Sequence, residues 1–142
     1  MQNIHATVVD FNKSGILILG PSGAGKSDLA LRLICDKGAI LVSDDRTDLN
    51  LKDDALIASA PENLAGLIEV RGLGLVRLNF QKQTQIKLVL ELCPREEIER
   101  MPSLSFFNYE NVRIPLFKLD PFELSALDKI VVKLNCVLEQ EK

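Results

Sequence analysis

The fold of this chain is decided by residues 16–27, which read Ile16-Leu-Ile-Leu-Gly-Pro-Ser-Gly-Ala-Gly-Lys26-Ser27. The last eight of these residues form the pattern G-x-x-x-x-G-K-S, which is typical of a loop whose backbone N–H groups surround phosphate oxygens. The apolar run before the loop predicts a buried strand, and residues 28–37 after it carry apolar side chains at helical spacing. This succession of strand, loop and helix indicates a phosphate-binding site and disfavours a simple glycine-rich turn before a helix.

The loop offers several kinds of contact to a phosphorylated ligand. Its glycines let backbone N–H groups crowd around phosphate oxygens, and the N-terminus of the following helix adds partial positive charge. Lys26 adds a full positive charge, and the Ser27 hydroxyl can bind a magnesium ion. The predicted nucleotide-binding residues are Gly20, Pro21, Ser22, Gly23, Ala24, Gly25, Lys26 and Ser27.

The composition is that of an ordinary globular domain. The 142 residues suit one domain, and 46% hydrophobic and 26% charged residues are typical globular values. A formal net charge of −3 argues against a general nucleic-acid surface. No apolar run could span a bilayer and the N-terminus carries no signal-peptide pattern, so we expect a cytoplasmic protein with no membrane partner. The cysteines, which have no metal-ligand spacing and fit a reducing compartment, are Cys35, Cys93 and Cys136.

The stretch before the loop predicts a β-hairpin. Residues 6–11 favour a strand, and residues 12–15 have turn chemistry in which Gly15 can supply a positive φ. This hairpin would lead the second strand directly into the phosphate loop. His5 lies at the start of the first strand, and a lone histidine is, on its own, more often an incidental surface residue than a catalyst.

Two aspartates follow the next predicted strand, residues 39–42. Ligands of open α/β sheets bind at the carboxyl ends of strands, so we expect Asp44 and Asp45 at the same edge as the phosphate loop. One carboxylate there could orient magnesium while the other accepts a proton from an attacking hydroxyl. A solvated turn is the structural alternative, because Asp-Asp is common turn composition. The position beside the loop favours the functional interpretation.

The remainder of the chain predicts more strands and a closing helix. Residues 105–111 favour an irregular stretch, and the closing helix over 121–135 is expected to use Asp120 as its N-cap. The other predicted elements are a hairpin over 49–59, a short helix from residue 61 and a strand over 86–92.

Residues 69–76 contain two glycines, Gly72 and Gly74, within an otherwise apolar segment. Such glycines indicate a bend or a close backbone approach. Glu69 and Arg71 flank the bend, and from these residues alone a surface ion pair is the simplest interpretation.

With these pieces in place, the chain resembles the catalytic domain of the HPr kinase/phosphorylase family. That bacterial family phosphorylates a serine of the phosphocarrier protein HPr, which implies ATP and Mg²⁺ as ligands here. The resemblance also implies an α/β fold, namely a P-loop nucleotide-binding domain similar to that part of phosphoenolpyruvate carboxykinase, with a mixed sheet and flanking helices. The matching stretches are Ile4-His5, Gly20 to Ser27, Leu41-Val-Ser-Asp-Asp-Arg46 and Ile68-Glu-Val-Arg-Gly-Leu-Gly74.

The resemblance implies roles for individual residues. The family's catalytic histidine falls on His5, and its catalytic carboxylate, base for phosphorylation and acid for the reverse reaction, falls on Asp45. Lys26 and a later family arginine, which falls on Arg100, would offset charge on the transferred phosphoryl group. The residues implied to contact magnesium are Ser27, Asp44 and Glu69.

The resemblance extends to partners and to domain organisation. It implies HPr or an HPr-like protein as the partner, inorganic phosphate as a substrate for phosphorolytic dephosphorylation, and a homo-oligomer such as a hexamer. It covers only the family's catalytic domain, so we expect a short-form member with one domain over residues 1–142. The family's basic segment before the last helix keeps a single positive charge here, Lys118, and lacks its Gly-Arg pair. This departure predicts that kinase activity exceeds phosphorylase activity.

Two other functions remain open from the sequence. A small-molecule P-loop kinase would usually need an arginine-rich lid, whereas Arg95, Arg100 and Arg113 are dispersed. An ATP-binding sensor that does not act on HPr would fit the reduced basic segment. A GTP-driven switch is disfavoured, because the chain lacks the guanine-reading motif of GTPases.

Overall fold

The structure, a computed structural model, describes residues 1–141, and Lys142, the last residue of the predicted domain, lies outside the described residues. The described chain contains eleven β-strands and two α-helices. The strands are β1 (Gln2–His5), β2 (Thr7–Phe11), β3 (Ser14–Leu19), β4 (Ile40–Ser43), β5 (Arg46–Lys52), β6 (Ala55–Ser59), β7 (Leu67–Val70), β8 (Gly74–Arg77), β9 (Gln83–Leu92), β10 (Ser105–Tyr109) and β11 (Val112–Leu119). The helices are α1 (Lys26–Lys37) and α2 (Ala126–Gln140).

Nine of the strands form one mixed, curled sheet in the order β1-β5-β6-β9-β3-β2-β4, with β11 pairing to β9 and β10 to β11. Strands β3, β9 and β11 are mutually parallel, whereas β2 runs antiparallel to both β3 and β4. Strand β4 therefore points the same way as β3. As a result, four strands end at one edge of the sheet, which is the edge where the phosphate loop begins.

Alternation of apolar side chains along the central strands builds two cores. Ile16 and Ile18 of β3 face a cluster that includes residues of both α1 and α2. Leu17 faces the opposite side, where it packs with side chains of β5 and β6 from the curled part of the sheet. Both described helices thus cover the same face. This architecture confirms the predicted α/β fold with a mixed sheet and helices. Neither of these helices has the length and apolar character to cross a membrane.

The hairpin before the phosphate loop forms, but the expected role of Gly15 is wrong. The turn instead places Asn12 and Lys13 at positive φ, 50° and 70°, the pair of left-handed residues that a two-residue hairpin turn requires. Gly15 belongs to β3, where a Cβ atom would lie 2.6 Å from the carbonyl oxygen of Gln85. The glycine is therefore needed for the close approach of β3 to β9.

Two other predictions are wrong. Residues 105–111 are not irregular, because most of them form β10, which pairs antiparallel with β11 around Glu110 at a φ of 51°. The closing helix does not begin at Pro121. Asp120 accepts the Phe122 backbone N–H on Oδ1 at 2.9 Å, which makes a local turn, and the helix starts only at Ala126. The local competition between an Asx turn and an N-cap decided this boundary.

Candidate active site

The phosphate loop connects the end of β3 to the start of α1. Gly23 and Gly25 adopt positive φ, 82° and 100°, which lets the backbone turn sharply around the space in front of the helix. The Gly25 carbonyl oxygen accepts the Leu29 N–H at 2.9 Å as the first turn of α1. The N–H groups of residues 26–28, in this first turn, have no intrahelical partner, so they are available to an anion.

Lys26 lies within the curl of the loop and is buried. Its Nζ donates to the carbonyl oxygens of Gly20 at 2.7 Å and Pro21 at 3.0 Å. Burial lowers the pKa of the Lys26 amine, and the negative charges of Asp45 and Asp44 act in the opposite direction. Phosphate oxygens entering the loop could replace the two carbonyls as partners of this amine.

Asp44 joins three separate segments of the chain. Its Oδ1 accepts hydrogen bonds from Ser27 Oγ of α1 at 2.6 Å and from Thr7 Oγ1 of β2 at 2.9 Å. Its Oδ2 accepts the backbone N–H of Glu69 in β7 at 3.1 Å. The carboxylate and Thr7 are both buried. The site edge is therefore tied together through one side chain.

Thr7 is the contact that sequence reasoning missed. Strand β2 runs antiparallel to β3 and β4, so its first residue lies at the edge where those strands end. A hydroxyl at the start of a mostly apolar strand was the only available signal. The pairing of β2 with β4, which brings Thr7 to Asp44, depends on residues far apart in the sequence.

The arrangement around Ser27 and Asp44 suits a magnesium ion that arrives with nucleotide. Because Ser27 gives its proton to Asp44, the lone pairs of its oxygen remain free for a cation. Asp44 already accepts three hydrogen bonds, which leaves it about one acceptor position. Among residues 1–141, no three His, Cys, Asp or Glu side chains cluster as a metal site. Mg²⁺ needs no such cage, since it commonly binds one or two protein oxygens, water and substrate phosphates.

Glu69 differs from Ser27 and Asp44, the other two residues implied to contact magnesium, in how it contacts the site. Its backbone N–H holds Asp44, while the residue itself is exposed on β7. The structure therefore links Glu69 to Ser27 through the Asp44 carboxylate. It also explains the glycines that follow, because Gly72 and Gly74 at φ of 89° and 99° turn β7 back into β8.

Asp45 and His5 form an exposed pair beside this buried cluster. His5 Nε2 lies 2.7 Å from Asp45 Oδ1, and the side chains are 42% and 68% exposed. The Arg46 N–H donates to the Asp44 carbonyl oxygen at 2.8 Å around an Asp45 φ of 70°, which makes a γ-turn of the rare, strained type. The Ala6 N–H secures the turn by donating to the Asp45 carbonyl oxygen at 3.1 Å. The strained turn presents the Asp45 carboxylate to solvent.

Arg100 is the one predicted site residue that the structure does not connect to the others. It is exposed on the segment between a 3₁₀ turn at Arg95–Glu97 and β10. Within residues 1–141 it forms no hydrogen bond or ion pair with the loop, the aspartates or His5.

The comparisons with known proteins agree with one another. A family model described as the HPr Serine kinase C-terminal domain matches residues 1–121. The HPr kinase/phosphorylase of Lactobacillus johnsonii is 42% identical over 97% of this chain and 44% of its own length. That of Lactiplantibacillus plantarum is 33% identical over 81% of this chain and 42% of its own length. The chain thus spans less than half the length of these curated relatives.

A solved structure gives the same result over the whole chain. The Hpr(Ser) kinase/phosphatase from Coxiella burnetii matches with a TM-score of 0.86 and 28% sequence identity. The match covers 100% of this chain and 100% of that chain.

The buried Thr7 hydroxyl is expected to stabilise the site edge. Thr7→Val keeps the shape of the side chain but removes the donor to Asp44, so the free energy of unfolding should fall by about 1.5–3 kcal/mol. Urea denaturation measures this change. Thr7→Ser is the matched control, because it keeps the hydroxyl and should lose less. Equal stabilities of the two variants would show that the hydrogen bond contributes little.

Proposed function

This chain belongs to the HPr Serine kinase C-terminal domain family, and we propose that it phosphorylates a serine of HPr or an HPr-like phosphocarrier protein with ATP. The observation that carries the proposal is the meeting of a phosphate loop with an exposed His5–Asp45 pair at one sheet edge. The loop suits the phosphates of a nucleotide. The exposed carboxylate suits a serine presented on the surface of another protein.

We assign the proton acceptor to Asp45. His5 occupies Oδ1 of this carboxylate, so Oδ2 can accept the proton of the serine hydroxyl as its oxygen attacks the γ-phosphate. The hydrogen bond to His5 and the γ-turn fix the direction of the carboxylate. The buried neighbour, Asp44, has its oxygens engaged by Thr7, Ser27 and Glu69 and is poorly placed for the same role.

Lys26 and the loop N–H groups hold the phosphates in this proposal. Lys26 would exchange the carbonyls of Gly20 and Pro21 for phosphate oxygens, which moves its charge toward the transferred group. Magnesium, held by Ser27 with Asp44 and Glu69 around it, would neutralise charge on the β- and γ-phosphates. Arg100 remains a proposed contributor to charge stabilisation, supported only by the family resemblance.

We further propose that the protein acts in the cytoplasm as a homo-oligomer, such as a hexamer, with one catalytic domain over residues 1–142. The three cysteines are free thiols, which fits a reducing compartment. Large apolar side chains exposed on the described chain are available for contacts between subunits or with HPr, and examples are Leu73, Leu75, Met101 and Leu104.

Substitutions of Asp44 and Asp45 should have different effects on the kinetics of phosphorylation. Asp45→Asn should lower the rate of HPr phosphorylation by at least about 100-fold, because a general base is lost, and leave ATP affinity nearly unchanged. Asp44→Asn should also change the dependence of the rate on magnesium concentration, because the group that accepts the Ser27 proton loses its negative charge. Steady-state kinetics and calorimetry measure these effects. Full activity of Asp45→Asn with loss in Asp44→Asn would reverse the two roles.

We also expect slow phosphorolysis, the reverse activity in which inorganic phosphate attacks phosphoserine. Two anions must then share the site, and each needs positive charge to offset repulsion. Lys118 supplies one positive charge in the segment before α2, and Glu91 lies opposite it in the register of β11 and β9. The forward reaction uses a neutral hydroxyl and depends less on these charges.

Pyrophosphate release from phosphoserine-HPr and saturating phosphate tests this expectation. Its rate should be low relative to phosphorylation by the same preparation. Comparable rates in the two directions would show that other groups supply the missing charge.

A further inference from the structure

A cavity of about 620 Å³ adjoins the phosphate loop. It lies between the first half of the loop and the two segments that follow β9 and β11, all at the edge where the parallel strands end. Its volume is within the range of roughly 300–1,000 Å³ that is usual for small-molecule sites. Its lining includes Gly20–Ala24 of the loop, Cys93, Arg95, three glutamates (Glu91, Glu96 and Glu97), Asp120 and Phe122.

The cavity and the catalytic groups share only the loop. The cavity lining includes the loop residues Gly20–Ala24. It does not include the proposed catalytic and metal-binding residues Lys26, Ser27, Asp44, Asp45 and His5. A nucleotide whose γ-phosphate reaches Asp45 must direct its nucleoside away from that carboxylate. We infer that the cavity beside the loop holds the nucleoside of the donor nucleotide, with the Phe122 ring as the surface on which the base stacks. This inference rests on the proposed use of ATP.

The charges of the lining favour a nucleoside over further phosphates. Three glutamates and Asp120 line the cavity, with Arg95 as the single cationic side chain. These carboxylates would repel phosphate but can accept hydrogen bonds from ribose hydroxyls or a base amino group. Burial raises the pKa of the Cys93 thiol, so this part of the lining is uncharged at neutral pH. A neutral ligand with hydrogen-bond donors fits these walls.

Phe122 is an aromatic side chain that does not belong to either hydrophobic core. It is 72% exposed, although its ring reaches the loop, since a Cβ atom at Gly25 would lie 3.2 Å from Phe122 Cζ. Its backbone N–H is held by Asp120 Oδ1 at 2.9 Å, and Arg32 donates to the neighbouring Pro121 carbonyl oxygen. The ring is therefore positioned at the mouth of the cavity. An exposed ring held beside a phosphate site is suited to stacking on a base.

Binding measurements can separate the base from the phosphates. Phe122→Ala should weaken binding of Mg²⁺–ATP about 10-fold or more, because one base-stacking contact is lost, and should leave binding of Mg²⁺–tripolyphosphate unchanged. Leu124→Ala is the matched control, because Leu124 is fully exposed two residues away and does not line the cavity. Lys26→Ala should weaken the binding of both ligands. Isothermal calorimetry on the full chain gives all of these affinities.

Fluorescence provides an independent readout, because the chain contains no tryptophan. Phe122→Trp places a single indole at the mouth of the cavity and keeps an aromatic stacking surface. Mg²⁺–ATP should quench its emission in a saturable way, whereas Mg²⁺–tripolyphosphate should not. Leu124→Trp, on the same segment, should report no quenching by either ligand.

The possible outcomes distinguish this inference from the proposed function. If wild type binds ATP but Phe122→Ala binds it equally well, the nucleoside lies elsewhere, and the proposed kinase function still stands. If Phe122→Ala weakens the binding of ATP and of tripolyphosphate equally, Phe122 stabilises the loop and does not contact the base. That result also overturns the inference. If wild type binds neither ligand, nucleotide use itself is wrong and the inference fails with it.

Discussion

The buried carboxylate of Asp44 is the interaction on which the rest of the site depends. It is the common acceptor for a hydroxyl from β2, a hydroxyl from the first turn of α1 and a backbone N–H from β7. A buried carboxylate is costly unless it is well hydrogen-bonded, so these three segments must come together for the fold to tolerate it. The same bonds place Ser27, and with it the end of the phosphate loop, against the sheet. Stability and the proposed nucleotide binding therefore depend on the same side chain.

The neighbouring residues Asp44 and Asp45 lie in opposite environments, because the backbone conformation changes from strand to γ-turn between them. Strand β4 carries the chain inward to Asp44, and the γ-turn at Asp45 reverses it toward β5. Asp44 is buried with its oxygens engaged, whereas Asp45 is exposed and paired with His5 on one oxygen. A strained turn of this kind costs free energy, and such strain is most often found at functional sites. The proposed division between metal organisation and proton transfer follows from this local geometry.

The sequence predicted the parts of the site that local patterns encode. The strand, the G-x-x-x-x-G-K-S loop and the helix follow each other within 22 residues (16–37), and Asp44 and Asp45 follow the next strand. Thr7 and Phe122 were missed because their roles depend on strand pairing and on packing against the loop, which a pattern of residue types does not contain. Gly15 was misinterpreted for the same reason, since its constraint comes from Gln85 on β9. The start of α2 was misplaced because Asp120 can cap a turn as well as a helix.

Mass spectrometry of HPr after incubation with this protein and Mg²⁺–ATP tests the central claim most directly, namely that the loop and the His5–Asp45 pair together serve transfer to a protein serine. The account predicts a single phosphoserine on HPr that forms only when protein, nucleotide and magnesium are all present. Tight ATP binding with HPr left unmodified would contradict it and would favour an ATP-binding sensor instead.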